Sequence, residues 1–173
     1  YKTLFSSILI VFASIGLGRF TFGMILPNLQ ESLQINTAQA GFIGTSNFIG
    51  YFVAIFFISS FYKKYDTKKL ISYSLFLQAL SMCLMLLFSN YLLISFFYTF
   101  SGFFAAISNV AIMVYIAHII PSHIKGKALG IIVTGIGLGI IFSGLLVPFV
   151  EDIFNNNSWK INWAIFSFLV LCI

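Results

Sequence analysis

The chain has 173 residues, of which 60% are hydrophobic and 8% are charged, with a formal net charge of +5. An average soluble domain is about 45–50% apolar and about 25% charged, so this composition excludes a water-soluble globule. The positive charges are spread over short loops and do not gather on one face, which argues against a nucleic-acid partner.

Six apolar stretches follow one another along the chain, and they do not alternate as the strands of a membrane barrel do. Since a helix needs about 20 residues to cross a bilayer, we predict an all-α, polytopic membrane protein whose partner is the lipid bilayer. Pro27, Pro121 and Pro148 fall at predicted span ends, where we expect them to end helices. The predicted spans are 4–27, 38–61, 70–88, 91–119, 128–149 and a truncated 159–173.

The charges of the loops predict how the chain crosses the membrane. Only one lysine, Lys160, lies on the side that also carries Glu31, Glu151 and Asp152. Because positive charge is retained in the cytoplasm, we predict a cytoplasmic amino terminus. The lysines on the predicted cytoplasmic side are Lys2, Lys63, Lys64, Lys68, Lys69, Lys125 and Lys127.

The second and fifth spans share a pattern of glycine and threonine. The sequence G-x-x-x-T-x-x-x-x-G occurs at 41–50 and again, without gaps, at 130–139. These spans cross the membrane in opposite senses, so the match favours two inverted three-helix repeats. Glycine and threonine are common in packed membrane helices, and chance is therefore the alternative interpretation.

Arg19 is the only charged residue deep inside a predicted span, since the others lie in loops or at span ends. A guanidinium in hydrocarbon costs roughly 2.5 to more than 10 kcal/mol, so it should face a protein interior or a wet cavity. Its planar donors suit a carboxylate, and the functional hypothesis is that Arg19 holds the anionic group of a substrate. The alternative is structural, with Arg19 paired to backbone carbonyls, an asparagine or a carboxylate elsewhere in the protein.

Uncharged polar residues within the spans are the next candidates. Ser101, Ser108 and Tyr115 recur at seven-residue intervals, as residues lining a polar path would, and Asn47 shares a helical face with Tyr51. The alternative is that such groups only hold neighbouring helices together, for about 0.6–2 kcal/mol each.

Small residues give the fifth span a smooth face at Gly135, Gly139 and Gly144. This face either packs helices closely or lets two bundles rock against each other during alternating access. No cluster of His, Asp and Glu lies at membrane depth, and no serine has a plausible base beside it. We therefore expect no enzymatic activity, no metal and no cofactor.

Three segments resemble one transporter family. Residues 121–130 are similar to its Pro-x-x-x-Arg-Gly-x-Ala-x-Gly loop, with Lys125 in place of arginine. The lysine-rich loop after the second span lies where the family has G-x-x-x-D-R-x-G-R-[RK]. The segment 16–20 resembles the G-x-G-R-F of a branch of uncharacterised bacterial members. The whole chain thus resembles the amino-terminal half of a major facilitator superfamily transporter. The resemblance to bacterial members implies a location in a bacterial inner membrane.

The resemblance implies a six-helix half of a twelve-helix fold, built as a 3+3 inverted repeat, in which residues 1–173 form the amino-terminal bundle. Because the chain begins at Tyr1 and stops inside the sixth stretch, we expect it to be a fragment whose partner is the carboxy-terminal half of the same protein. No predicted span contains Asp or Glu, so a proton-coupling carboxylate would lie in that other half.

The function implied is secondary active transport of a small solute, such as an organic anion, by alternating access. The alternative is a non-transporting receptor or assembly factor on the same fold. The resemblance implies that the first and fourth helices line a central cavity and that the second and fifth face the other half. The substrate-binding candidates are therefore Arg19, Phe22, Asn47, Ser108, Asn109 and Tyr115. The candidates for a cytoplasmic gate, in the two basic loops, are Lys64, Lys68, Lys125 and Gly126.

Overall fold

The computed structural model describes residues 2–154 and 158–173, and within these ranges every regular element is a helix. The predicted all-α fold is confirmed. The first membrane helix, Lys2–Leu33, consists of α1 (Lys2–Val11), a π-helical segment (Phe12–Phe20) and α2 (Phe22–Leu33). The other helices are α3 (Thr37–Lys64), α4 (Thr67–Met85), α5 (Tyr91–Ile119), a short 3-10 turn (Ser122–Ile124), α6 (Lys125–Phe154) and α7 (Ser158–Cys172).

Six helices thus take the places of the six predicted spans. Four of them are long and apolar enough to cross a bilayer, namely the first helix, α3, α5 and the stretch Ser122–Phe154. The helix α7 is apolar but has only 15 residues. The 19 residues of α4 include Lys68 and Lys69 in the first turn and Gln78 near the middle, and these residues lower its mean hydropathy.

Two prolines lie inside helices, contrary to the prediction that all three end them. Pro27 lies within α2, which continues to Leu33, and Pro148 lies within α6, which continues to Phe154. A proline removes one backbone hydrogen bond, but neighbouring helices and water can satisfy the freed carbonyl group in a membrane bundle. The predicted span ends at 27 and 149 are therefore not helix ends. Pro121 does separate α5 from α6.

A tight reversal joins the first helix to α3. Gln34 has φ of 53°, in the left-handed region, and it follows α2 directly. Asn36 then caps α3, since its side chain accepts a hydrogen bond from the Gln39 backbone at 2.9 Å, and the Gln39 side chain accepts one from the Asn36 backbone at 3.0 Å. This capping box satisfies two backbone N–H groups that would otherwise lack partners at the end of the bundle.

The helices α3 and α5 pack side by side and run parallel. Phe42 contacts Tyr91 near the start of both helices, and Asn47 contacts Tyr98 further along both. The helix α4 packs against α5, which follows it in the chain, and against α7, which lies far from it in the sequence.

A second parallel pair is formed by α6 and the first helix. Gly135 approaches the backbone of Ile8, and further along both helices Gly144 makes an ordinary contact, 3.5 Å from an added Cβ, with the Met24 side chain. Between these two positions lies Gly139, the third predicted packing glycine, at the crossing with the first helix.

The repeated glycine motif occupies equivalent places in the two parallel pairs. Gly50 of α3 lies against the backbone carbonyl of Thr99 on α5. Its counterpart Gly139 of α6 lies against the first helix, where an added Cβ would be 2.6 Å from the Cα of Gly16. The first glycine of each motif faces open space. Both copies thus place their last glycine at the crossing with a parallel helix of the other three-helix unit, which is the arrangement an inverted repeat predicts.

The two ends of the bundle differ in charge. At one end, Lys2, Lys68 and Tyr115 line one pocket, so the starts of α1 and α4 and the end of α5 lie together. At the other end, Glu31 and Lys160 line a pocket between the end of α2 and the start of α7. We call the first of these the basic end and the other the opposite end.

Candidate functional site

Arg19 lies in the last turn of the π-helical segment, and its side chain is half-buried. Its guanidinium carbon is 3.9 Å from the ring centroid of Phe48 and 4.5 Å from that of Tyr51, both on α3. Aromatic faces attract a cation by about 0.5–2 kcal/mol, which offsets part of the cost of a charge at this depth. The two rings therefore hold the cation in place without neutralising it.

The charge of Arg19 has no carboxylate partner among the residues that the structure describes. The titratable groups that interact with it are Tyr51 and Tyr98. Its Nε atom is buried and has no hydrogen-bond partner. A guanidinium carries five N–H donors, so this arginine has unmet hydrogen-bonding capacity. The acidic residues all lie at helix ends, at Glu31, Asp66, Glu151 and Asp152.

Tyr51 links Arg19 to α5. Asn109 donates from its Nδ2 to the Tyr51 hydroxyl at 3.1 Å, and its Oδ1 is buried with no partner. Side chains from three helices thus meet, and we call Arg19, Phe48, Tyr51 and Asn109 the arginine cluster. Phe48 is 54% exposed on the bundle surface, so the cluster opens outward on this side. The cluster offers a cation, a hydroxyl and an amide around an aromatic wall, which are the groups that a small organic anion requires.

The backbone of the π-helical segment is held by side chains from two other helices. Gln78 of α4 donates from Nε2 to the Ser14 carbonyl at 2.8 Å, and Tyr98 of α5 donates from its hydroxyl to the Arg19 carbonyl at 3.2 Å. Gly18 leaves room for the amide of Gln78, because an added Cβ would overlap Nε2. Long π-helices are rare and need such support. These contacts fix the turn that carries the arginine.

The remaining substrate-binding candidates lie outside the arginine cluster. Asn47 is buried and donates from Nδ2 to the Tyr98 carbonyl at 3.1 Å, so it joins α3 to α5. Phe22 is buried against the Tyr98 ring, with centroids 5.2 Å apart. Ser108 is buried and bonds within its own helix, and Tyr115 lines the pocket at the basic end. Of the six candidates, the structure brings together the arginine and Asn109.

Two members of the cluster, Phe48 and Tyr51, were absent from the sequence-based candidates. Both lie within one turn of Asn47 on α3. The sequence did contain a signal, since aromatic rings on a membrane helix can form cation–π contacts with an arginine on a neighbouring helix. It was weak, because the chain has 22 Phe residues and the sequence does not give the register between helices.

The gate candidates lie at the basic end, on three different helix termini. Lys64 is the last residue of α3, and its Nζ is 5.6 Å from the ring centroid of Tyr65. Lys68 lines the pocket at this end. Lys125 and Gly126 begin α6, where an added Cβ on the glycine would meet open space.

Comparison with known proteins gives one finding on the family and one on individual relatives. Residues 8–173 match the family model described as Major Facilitator Superfamily, which is nearly the whole chain. None of the curated proteins matches the chain. Groups of three or more His, Cys, Asp or Glu residues that could hold a metal ion are absent from residues 2–154 and 158–173.

Proposed function

Because the chain belongs to the Major Facilitator Superfamily, whose members are membrane transporters, we propose that it moves a small organic anion across the membrane by alternating access. The observation that carries this proposal is the half-buried Arg19, held between aromatic faces with an unpartnered Nε and no carboxylate among its described neighbours. A bidentate carboxylate would fill this unmet capacity and contribute about 1.5–3 kcal/mol.

The surroundings of Arg19 also restrict the shape of the ligand. Phe48 and Tyr51 form a flat apolar wall, and the hydroxyl of Tyr51 together with the amide of Asn109 supplies polar contacts at its edge. Such a site favours an anion with a planar or apolar body over inorganic phosphate or sulfate. The proposed substrate class is therefore a small organic carboxylate.

The proposed partner is the carboxy-terminal half of the same protein. Among the long helices, α3 and the stretch that contains α6 are the least buried within the bundle, with 28% of their apolar windows covered. The arginine cluster opens beside α3, next to the surface that this half would cover. Substrate would then bind between the halves. The two halves would rock against each other, so that the site opens to each side of the membrane in turn.

Arg19→Gln in the full-length protein is expected to weaken substrate binding by at least about tenfold, because the neutral amide loses the charge-assisted pair. Proteoliposomes with wild-type protein are first tested for saturable uptake of radiolabelled monocarboxylates and dicarboxylates, aromatic acids included. The substrate affinity of Arg19→Lys is expected to lie between those of the wild type and Arg19→Gln, since lysine keeps the charge but lacks the planar guanidinium group.

Lys160→Gln is the matched control, since it removes a cation at the opposite end of the bundle and should leave affinity unchanged. Normal insertion and unchanged affinity in both Arg19 variants would contradict the substrate role. Saturable binding without flux in the wild type would instead favour a receptor built on the same fold.

We also infer that the basic end is cytoplasmic, from the excess of lysine there. After Cys83 and Cys172 are replaced by serine, Lys64→Cys and Lys160→Cys provide one thiol at each end. A membrane-impermeant maleimide applied to intact cells should label Lys160→Cys and leave Lys64→Cys unlabelled until the cells are opened. The reverse labelling pattern would show the opposite orientation.

A further inference from the structure

A closed loop of contacts through α5 joins Arg19 to the aromatic rings that it faces. Asn47, on α3, donates from Nδ2 to the backbone carbonyl of Tyr98 on α5 at 3.1 Å. The hydroxyl of Tyr98 donates to the backbone carbonyl of Arg19 at 3.2 Å. The guanidinium of Arg19 lies over Phe48 and Tyr51, which are close neighbours of Asn47 on α3. Each of the three contacts therefore restrains the other two.

The side chain of Tyr98 is fixed by packing. It is 1% exposed, and its ring lies against that of Phe22. Gly102 lets α3 approach α5 at this level, because an added Cβ would overlap the backbone carbonyl of Asn47. The arginine cluster opens where Phe48 is exposed, so the buried tyrosine affects the site without contacting a ligand.

The hydrogen bond from Tyr98 falls at the end of the π-helical segment, where the direction of the Arg19 side chain is determined. The segment gives way to α2 just after this arginine. Two of its last carbonyls accept hydrogen bonds from hydroxyl groups, since Thr21 donates to Leu17 and Tyr98 donates to Arg19. If the segment refolded as an α-helix, each residue would turn further about the helix axis, and the guanidinium would rotate away from the rings on α3.

We propose that Tyr98 is a positioning residue for Arg19, whose hydroxyl holds the backbone in the form that keeps the guanidinium against Phe48 and Tyr51. A bidentate pair with a carboxylate needs both donors aligned, so an arginine fixed in advance binds more tightly than one that must be ordered on binding. This effect on affinity rests on the proposed function. The placement of the guanidinium does not, and the two are measured separately.

Tyr98→Phe in the full-length protein tests the effect on affinity. The variant loses one oxygen and keeps the ring against Phe22, so it should fold. The probe is radiolabelled benzoate, or whichever carboxylate the wild type takes up with the highest affinity in proteoliposomes. Its affinity is expected to fall about five- to tenfold. In an Arg19→Gln background, Tyr98→Phe should change the affinity by less than about twofold, because the arginine through which it acts is gone.

Tyr91→Phe is the matched control. It removes a hydroxyl at the start of the same helix and keeps the ring contact with Phe42, so the affinity should be that of the wild type.

The position of the guanidinium is measured without any ligand. Full-length protein labelled with ¹⁵N-arginine gives an Nε–H resonance for Arg19, which is identified by its loss in Arg19→Lys. Because the guanidinium carbon is 3.9 Å from the ring centroid of Phe48, the ring current displaces this resonance. Tyr98→Phe should move it toward the value of a free arginine, as should Phe48→Leu, which removes the nearer ring. Tyr91→Phe should leave it in place.

Two results would overturn the proposal. One is an Arg19 resonance that does not move in Tyr98→Phe, whatever the uptake measurements give. The other is an equal loss of affinity from Tyr98→Phe in the wild-type and Arg19→Gln backgrounds, which would show a general loosening of the bundle. If the resonance moves but Arg19→Gln leaves the affinity unchanged, the positioning of Arg19 is confirmed and its proposed role in substrate binding is contradicted.

Discussion

Gly50→Ala and Gly139→Ala are each expected to destabilise the bundle by at least about 1–3 kcal/mol, and the corresponding leucine variants are expected not to assemble. At Gly50 the new Cβ would overlap the carbonyl of Thr99, and at Gly139 it would lie 2.6 Å from the Cα of Gly16. These are backbone atoms within helices, so they cannot turn aside as a side chain would. The helices must separate, which removes the close packing that holds membrane helices together.

The matched controls are Gly41→Ala and Gly130→Ala, the first glycines of the same two motifs. An added Cβ at either position meets open space, and alanine favours the helix by up to about 1 kcal/mol. Thermal unfolding of the purified full-length variants, followed by size-exclusion chromatography, measures the difference. If all four alanine variants unfold alike, the motifs do not mark helix crossings. If only one of Gly50 and Gly139 is sensitive, the two repeats are not equivalent.

Gln78→Leu is expected to destabilise the protein by about 1–3 kcal/mol, although leucine is close to glutamine in size. It removes the donor that satisfies the Ser14 carbonyl at 2.8 Å, in a buried part of the π-helical segment. Gly18→Ala is expected to produce the same defect from the other side, since the new methyl group would occupy the place of the Gln78 amide. Each change removes the same contact.

A double-mutant cycle separates this contact from general packing. Gly18→Ala combined with Gln78→Ala should cost clearly less than the sum of the two single changes, because the methyl group then has room and the hydrogen bond is already lost. Gly23→Ala, in α2 of the same membrane helix and facing open space, is the control and should not destabilise the protein. Additive effects in the cycle would contradict the arrangement of Gln78 over Gly18.

Composition predicted a membrane protein, and the absence of strand-like alternation in the apolar stretches distinguished helices from a barrel, the other structure that satisfies its backbone in a bilayer. The prolines show where this reasoning failed. Pro27 and Pro148 lie within helices whose neighbours accommodate the missing hydrogen bond, and the sequence does not show those neighbours. The loop prediction at Pro121 succeeded because polar residues and glycine accompany that proline.

Within the candidate site, Arg19 could be predicted because its charge is expensive wherever it lies in a span. Its aromatic contacts could not, since they depend on how the first helix is rotated against α3. The π-helical segment changes that rotation, because each residue of a π-helix turns the chain less than a residue of an α-helix does. The role of Gly18 could not be predicted either, because it accommodates a side chain from α4, a helix distant in the sequence.

The exchanged packing of the two repeats has a consequence for biosynthesis. The helix α3 packs most extensively against α5, and α6 packs against the first helix, so each repeat supplies a partner that the other lacks. During synthesis, α3 enters the membrane before α5 has been made. The first helix likewise enters long before α6, its packing partner. A nascent chain that stops after α4 would therefore expose to lipid the helix faces that carry Gly16 and Gly50. Membrane proteases should recognise such a chain as unassembled. Only insertion of α6 completes both crossings.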